Sequence, residues 1–191
     1  MSIAEKLTVI TENEQKVYDS GYNKGVTELN DLVQGKTTAF YNDRITKIAD
    51  YQFYAYGGNG GTTLGSVNCP NVTAVGYMAF NANYMLTLIQ LPKLQSASAY
   101  AFGSASYLRE VNFPELTSLG HHAFNACGYL HTVVIGTTNC VLHNTDAFAG
   151  TKIASGTGYI YVPDEAVDTY KTATNWVTYA NQIKGISELG G

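Results

Sequence analysis

Residues 94–114 read LQSASAYAFGSASYLREVNFP, and nearly the same arrangement of side chains stands directly before and after them. Residues 72–92 read VTAVGYMAFNANYMLTLIQLP, and residues 116–136 read LTSLGHHAFNACGYLHTVVIG. The phenylalanine in the middle of each segment therefore recurs every 22 residues. A fixed period of this length is typical of solenoids, in which each coil buries its apolar residues against the next coil.

Further columns of apolar residues repeat with the same period. They consist of Val72, Leu94 and Leu116; of Leu86, Leu108 and Leu130; of Ile89, Val111 and Val133; and of Leu91, Phe113 and Ile135. In a strand with the pattern L-x-x-V-x-L, the apolar side chains point into the coil and the residues that flank the central one point to solvent. The sequence therefore predicts a buried core and an outward ladder, with one rung in each coil.

The repeat extends in both directions with irregular steps. Residues 45–56, ITKIADYQFYAY, align with the third segment and place Phe53 in the phenylalanine column. Five extra residues follow in 55–63, where GGNGG predicts an exposed loop. The step from Phe124 to Phe148 is 24 residues, and YIYVP at 159–163 predicts a last strand. We therefore expect residues 40–163 to form an α/β repeat, a β-rich solenoid of about five coils.

The two ends are expected to differ from the repeat. Residues 164–191 predict a helical cap, with Asp164 at the helix N-terminus and Glu165 in its first turn. The apolar surface that closes the open end is expected from Val167, Tyr170, Trp176, Val177, Ala180 and Ile183.

Residues 1–35 predict an amphipathic helix. Ile3, Leu7, Ile10 and Val17 are spaced by four, three and seven residues and form one narrow apolar stripe. Such a helix can fold back as the N-terminal cap of the repeat, or it can dock on a partner and on further copies of the chain. The narrow stripe favours docking and a homo-oligomer.

The composition limits the classes of partner. The net charge is −4, only 14% of the residues are charged, and no cluster of lysine and arginine occurs, so neither nucleic acid nor an anionic membrane is an expected partner. No run approaches the roughly 18 apolar residues of a membrane span, and the charged N-terminal stretch does not resemble a signal peptide. We expect a chain made in the cytoplasm, without membrane insertion. Its 15 tyrosines favour a recognition role.

The outward ladder is the leading candidate for a binding surface. It consists of Ser66, Asn68, Leu88, Gln90, Glu110, Asn112, Thr132, Val134, Tyr159 and Tyr161. Its amphipathic, nearly uncharged character suits a glycan or the edge of a protein, although a merely solvated sheet face is the alternative. On the opposite edge, Tyr84, Tyr107 and Tyr129 offer a second surface, for which packing between coils is the favoured interpretation.

Catalytic and metal-binding patterns are scarce. His121 and His122 precede Cys127 in one coil, but they fall at variable outward positions, so a Cys/His nucleophile is not expected. His131 and His143 have no ligand spacing relative to His121, and the three cysteines, Cys69, Cys127 and Cys140, match no zinc motif. We therefore expect surface histidines, no metal, no cofactor and no enzymatic activity.

The repeat resembles a known family. The pattern L-x-x-[IVL]-x-x-x-A-F-x-x-x-x-x-L-x-x-V-x-[LF]-P is similar to the BspA-type leucine-rich repeat of bacterial surface proteins, which implies the leucine-rich-repeat fold. A second resemblance concerns the ends, since SIAEKLTVITENEQKVYDSGY and YIYVPDEAVDTYKTATNWVTYANQIKGISEL are similar to segments of proteins encoded in prophages of gut Firmicutes. This resemblance implies a virion or tail protein whose partners are other virion proteins and a bacterial surface glycan or protein. The alternative is a cytosolic or host-directed interaction module outside the virion.

Overall fold

The structure, a computed structural model of the chain, describes residues 38–55 and 64–189. This part forms three parallel β-sheets. On one side, which we call the front, β1 (Thr38–Tyr41), β3 (Leu64–Asn68) and β5 (Leu88–Gln90) form one sheet, and β7 (Glu110–Phe113), β9 (Thr132–Ile135), β11 (Tyr159–Val162) and β12 (Ile183–Gly185) form another. The back sheet consists of β2 (Lys47–Ile48), β4 (Ala74–Val75), β6 (Ser96–Ala97), β8 (Ser118–Leu119) and β10 (Val141–Leu142).

The front strands of neighbouring repeats pair in parallel at the offset that the sequence predicts. Val67 lies opposite Ile89, and Val111 lies opposite Val133. All four side chains are buried, whereas the residues on either side of them are partly or fully exposed. The predicted leucine-rich-repeat type of fold, with parallel strands and few helices, is confirmed for the described part of the chain.

A stack of phenylalanine rings runs through the buried core. Consecutive ring centroids are 5.2, 5.7, 5.1 and 5.7 Å apart from Phe53 through Phe80, Phe102 and Phe124 to Phe148, and the ring planes differ by at most 13°. Each of these side chains is fully buried. The residue that defines the period in the sequence therefore lies in the buried core of each of these five repeats.

The back sheet is a feature that the sequence analysis missed. Each of its strands has two residues, of which the second faces the core, as Ala97 does opposite Leu119. Two residues are too few to show the alternation of apolar and polar side chains by which a strand is recognised in a sequence.

A tight turn leads from each back strand to the phenylalanine of the same repeat. The residue two positions before the phenylalanine has a left-handed backbone in four successive repeats, with φ of 58° at Tyr51, 52° at Met78, 55° at Tyr100 and 54° at His122. Non-glycine residues adopt this conformation at a cost of roughly 1–2 kcal/mol. The backbone N–H of this residue donates to the next repeat, as from Met78 to the carbonyl oxygen of Ala99 at 3.0 Å, which helps to offset that cost.

The C-terminal segment closes the last repeat with side-chain hydrogen bonds. It contains α1 (Val167–Thr172) and three 3₁₀ turns (Asp164–Ala166, Trp176–Gln182 and Ile186–Glu188). Four side chains of this segment donate to backbone carbonyl oxygens: Tyr170 to Thr137, Asn175 to Leu142, Trp176 to Cys140, and Tyr179 to Thr145. In the preceding repeat the equivalent carbonyl groups of Thr117 and Leu119 accept from the next repeat, so Trp176 and Asn175 satisfy the groups of Cys140 and Leu142 that the end of the array would leave unpaired.

Several details of the predicted cap are wrong. Asp164 does not cap a helix, because the first 3₁₀ turn has no side-chain capping bond and the Asp164 carboxylate accepts from the backbone and hydroxyl of Ser187. Val177 does not close the core, since its side chain is 57% exposed. Ile183 is buried in the core, as expected of the cap, although it lies in a strand and not in a helix.

The array is one strand longer at each end than predicted. At the N-terminal side, β1 precedes the first aligned repeat segment, which begins at Ile45, and pairs with β3. At the C-terminal side, β12 pairs in parallel with β11, so the YIYV strand is not the last. Both additional strands have only short apolar stretches, TAFY and IKG, and lie outside the 22-residue period.

Two predicted segments lie outside the described residues. They are the amphipathic helix of residues 1–35 and the GGNGG loop, which therefore stay predictions. Within the ranges that the structure does describe, no helix is both long enough and apolar enough to cross a membrane.

Candidate functional site

The outward residues of the front strands form the ladder that the sequence predicts. Ser66 lies opposite Leu88, Asn68 opposite Gln90, Glu110 opposite Thr132, Asn112 opposite Val134, Thr132 opposite Tyr159, and Val134 opposite Tyr161. The ladder is regular because its residues alternate with the buried ones on strands that pair in parallel. The structure thus brings together the residues expected to bind a ligand, although their binding role stays a proposal.

An open groove of about 650 Å³ crosses the front face. It lies where the two front sheets meet, since residues of both β5 and β7 line it. Seven residues of the predicted ladder contribute to it, namely Asn68, Leu88, Gln90, Glu110, Asn112, Thr132 and Val134. Among all the lining residues, Glu110 alone is ionisable, so the groove suits a partner without strong charge.

The groove combines apolar and hydrogen-bonding surface. Leu88 is 48% exposed, and Val134 is half-buried. The exposed side chains of Gln90 and Asn112 each offer an amide that can donate and accept hydrogen bonds. Such a surface can bind the hydroxyl groups and apolar faces of a glycan, or the backbone and side chains of an extended protein segment.

The aromatic end of the ladder is less accessible than the sequence predicts. Tyr161 is only 8% exposed, because β12 pairs with β11 and places Lys184 opposite it. The Lys184 ammonium group also lies 4.2 Å from the centre of the Tyr159 ring, in a cation–π contact. The expectation of two exposed tyrosines is therefore wrong for Tyr161, since the unpredicted strand covers this end.

The end of the chain also reaches the groove. Leu189 lines it and is 46% exposed. The turn before it is held in place because Ser187 donates its backbone N–H to the Asp164 carboxylate at 3.1 Å and Gly185 donates to Glu188 at 3.1 Å. A groove residue thus comes from far outside the repeat, where no period could reveal it.

The tyrosines of the opposite edge are half exposed. The rings of Tyr107 and Tyr129 stack on each other at 5.8 Å with an angle of 14° between their planes. Tyr84, in the preceding repeat, is 46% exposed. The stacked pair agrees with the favoured interpretation of packing between repeats, and neither ring presents both faces to a ligand.

The histidines separate into a cluster and two individual side chains. His131 contacts the hydroxyl of Thr132 at 2.8 Å, and His143 contacts that of Ser118 at 3.0 Å. His121 and His122, in contrast, lie next to Asp146. Asp146 was missed, although it stands two residues before Phe148, as His122 stands two residues before Phe124. Extending that column by one repeat would have revealed the cluster.

Cys127 is not placed for nucleophilic chemistry. Its side chain is fully buried, and its thiol donates to the carbonyl oxygen of Phe102 at 3.1 Å. Burial raises the pKa of this thiol from 9.0 to about 12, so it carries no thiolate at neutral pH. Cys69 and Cys140 are also buried, and no disulfide joins any of the three.

The predicted docking residues cannot be placed. Ile3, Leu7, Ile10 and Val17 lie outside the residues that the structure describes. The docking stripe and the homo-oligomer therefore stay predictions.

Two solved structures have a fold similar to that of this chain. The leucine-rich repeat protein TpLRR of T. pallidum shares 24% sequence identity with a TM-score of 0.54, over 65% of this chain and 57% of that one. A leucine rich cell surface protein of Faecalibacterium prausnitzii shares 18% identity with a TM-score of 0.56, over 75% of this chain and 35% of that one. The chain thus spans about half or less of each structure's length. No curated protein matches the sequence.

A family model identifies the repeat directly. The BspA type leucine-rich repeat region matches residues 36–155 in six copies, one more than the approximately five predicted. The match begins just before β1, which the sequence analysis did not count, and it covers more than half of the chain. The chain therefore belongs to the BspA type leucine-rich repeat family.

Proposed function

We propose that this chain is a non-enzymatic phage virion protein whose front groove binds a bacterial surface glycan or protein, or another virion protein. The observation that carries the binding role is the groove itself. It is open and nearly uncharged, and outward-facing ladder residues make up much of its lining. Leucine-rich-repeat proteins are typically binding modules with extended recognition surfaces. In this proposal the repeats form one continuous solenoid that presents the groove.

The virion role rests on sequence resemblance. The segments at both ends of the chain are similar to segments of proteins encoded in prophages of gut Firmicutes. One fold relative is described as a leucine rich cell surface protein of Faecalibacterium prausnitzii, which supports a cell surface as the place where such a groove acts. Residues 1–35 would dock the protein on the particle in several copies, leaving the groove free.

Two measurements test the location and the binding. Mass spectrometry of purified particles should detect the chain at a constant ratio to capsid or tail proteins, and the labelled full-length chain should adsorb to cells of the host. Absence from purified particles, with the chain recovered in the host cytosol, would overturn the virion role and favour the cytosolic interaction module.

A pair of variants tests the groove. Leu88→Glu introduces a charge into the nearly neutral groove and removes exposed apolar surface, so adsorption should weaken at least about tenfold, as expected for a central interface residue. Val141→Glu is the matched control, because Val141 is 52% exposed on the back sheet. Both variants should melt within a few degrees of the parent chain. Equal adsorption of the two variants would show that the front groove is not the binding site.

A further inference from the structure

Asp146, His121 and His122 meet at the turn edge of the last two repeats. His122 and Asp146 occupy the same position of successive repeats, so parallel stacking places their side chains one above the other. His121 precedes His122 in the turn whose backbone is left-handed at His122. The three residues offer ligand atoms that all lie within 4.8 Å of one another. None of them lines the front groove.

Two of the distances within the cluster are close to those of a coordination shell. The two Nδ1 atoms of His121 and His122 are 3.2 Å apart, and Nδ1 of His122 is 3.1 Å from Oδ2 of Asp146. Zinc bonds of about 2.0–2.1 Å to nitrogen and oxygen place neighbouring ligands of a tetrahedron roughly 3.3–3.4 Å apart. Small movements of the side chains would therefore accommodate an ion.

The two close contacts of His122 Nδ1 cannot both be separate hydrogen bonds. If His122 donates its Nδ1 hydrogen to Asp146, the same nitrogen has no lone pair left to accept from His121. If His121 donates to His122, then His122 Nδ1 and the Asp146 carboxylate face each other as two acceptors. One hydrogen must be shared between the contacts, whereas a bound cation would use all three lone pairs.

Neighbouring groups hold the ligands in this arrangement. The backbone N–H of His122 donates to Oδ1 of Asp146 at 3.0 Å, which leaves Oδ2 directed at the imidazoles. The Tyr100 ring stacks on His122 at 4.6 Å and meets His121 edge to face at 5.4 Å. Such outer contacts orient ligands and strengthen metal binding.

We propose that His121, His122 and Asp146 bind a divalent transition metal ion of the zinc type. Two imidazole nitrogens and one carboxylate favour such an ion over Ca²⁺ or Mg²⁺, which prefer oxygen ligands. Three protein ligands leave a fourth position, which faces solvent beside the exposed His121. This proposal replaces the sequence-based expectation of no metal, and it is independent of the function of the front groove.

Calorimetric titration of the untagged full-length chain with Zn²⁺ tests the site. We expect one ion per chain, no heat of binding with Ca²⁺, and a visible absorption band typical of tetrahedral coordination when Co²⁺ is the probe. Asp146→Asn retains an oxygen that accepts from the His122 backbone but loses the anionic ligand. His121→Ala removes an exposed ligand at little risk to folding. Either change should weaken Zn²⁺ binding by more than the roughly 10–100-fold that loss of an outer contact costs.

The control variants are His131→Ala and His143→Ala, which remove histidines outside the cluster. Both should bind Zn²⁺ as the parent chain does. If His121→Ala binds Zn²⁺ with unchanged affinity, or if a control variant abolishes the binding, the ion is held elsewhere and the proposal is wrong. Loss of binding in His121→Ala at an unchanged melting temperature, with both controls intact, supports it even if Asp146→Asn fails to fold.

Discussion

Replacement of Phe102 by alanine tests the packing that holds the repeats together. The Phe102 ring is fully buried between Phe80, at 5.7 Å, and Phe124, at 5.1 Å, with Phe113 beside it at 5.9 Å. Since Phe80 and Phe124 belong to the two adjacent repeats, they cannot collapse into the space without separating from the rest of their own repeats. We expect the full penalty of a large cavity, about 3–5 kcal/mol in the free energy of unfolding.

Thermal and urea denaturation followed by circular dichroism measure this loss. For a chain of this size, each kcal/mol lowers the melting temperature by about 2–4 °C, so Phe102→Ala should melt roughly 6–20 °C below the parent chain. The urea midpoint should fall while the slope of the transition stays the same, because the surface exposed on unfolding hardly changes.

Tyr107→Ala is the control for this experiment. Tyr107 also stacks on an aromatic ring of the next repeat, but it is 48% exposed. Its loss should cost no more than about 1–2 kcal/mol, the contribution of an exposed aromatic pair with its partial burial. If Phe102→Ala melts within a degree or two of the parent chain, or no lower than Tyr107→Ala, the phenylalanine stack does not hold the array together.

Two further predictions concern alkaline stability and the N-terminal segment. Burial raises the pKa of the Cys127 and Cys140 thiols from 9.0 to about 12, so between these values only the unfolded chain loses the protons. The free energy of unfolding should be unaffected below pH 9 and then fall by about 1.4 kcal/mol per pH unit for each thiol, a decline that urea titrations should find shallower in Cys140→Ala. Deletion of residues 1–35 should leave a folded repeat that no longer assembles, as judged by light scattering, whereas an unfolded product would identify the segment as the N-terminal cap.

The central repeats could be predicted from the sequence because each apolar residue there recurs at the equivalent position of the neighbouring repeats. Phe102, for example, has a matching residue 22 positions away on either side. The ends lack this confirmation. The IKG stretch of β12 has no apolar alternation, and it becomes a strand because β11 offers an unpaired edge. Its backbone partners are therefore a consequence of the whole fold.

The candidate site likewise contains residues that the sequence pattern predicts and residues that depend on the rest of the fold. The ladder residues Gln90 and Asn112 follow directly from alternation along a strand. The burial of Tyr161 does not, because it depends on β12. Leu189 reaches the groove through the C-terminal turn, and no local pattern indicates this contact. The position of Asp146 could have been predicted from the sequence. The step from Phe124 to Phe148 is longer than 22 residues, however, and this concealed the alignment of Asp146 with His122.

The covered aromatic end has a consequence for how the proposed groove would bind. Tyr159 contacts Lys184, and Tyr161 is buried, so neither ring is a free anchor of the kind that dominates tight interfaces. The accessible middle of the ladder offers aliphatic and amide groups, so a single copy of the chain should bind its ligand with only modest affinity. In the proposed assembly, several copies joined through residues 1–35 would engage a repetitive cell surface together, and such avidity can exceed the single affinity by about 10²–10⁴. Adsorption to cells would then depend on assembly at least as strongly as on any one groove residue.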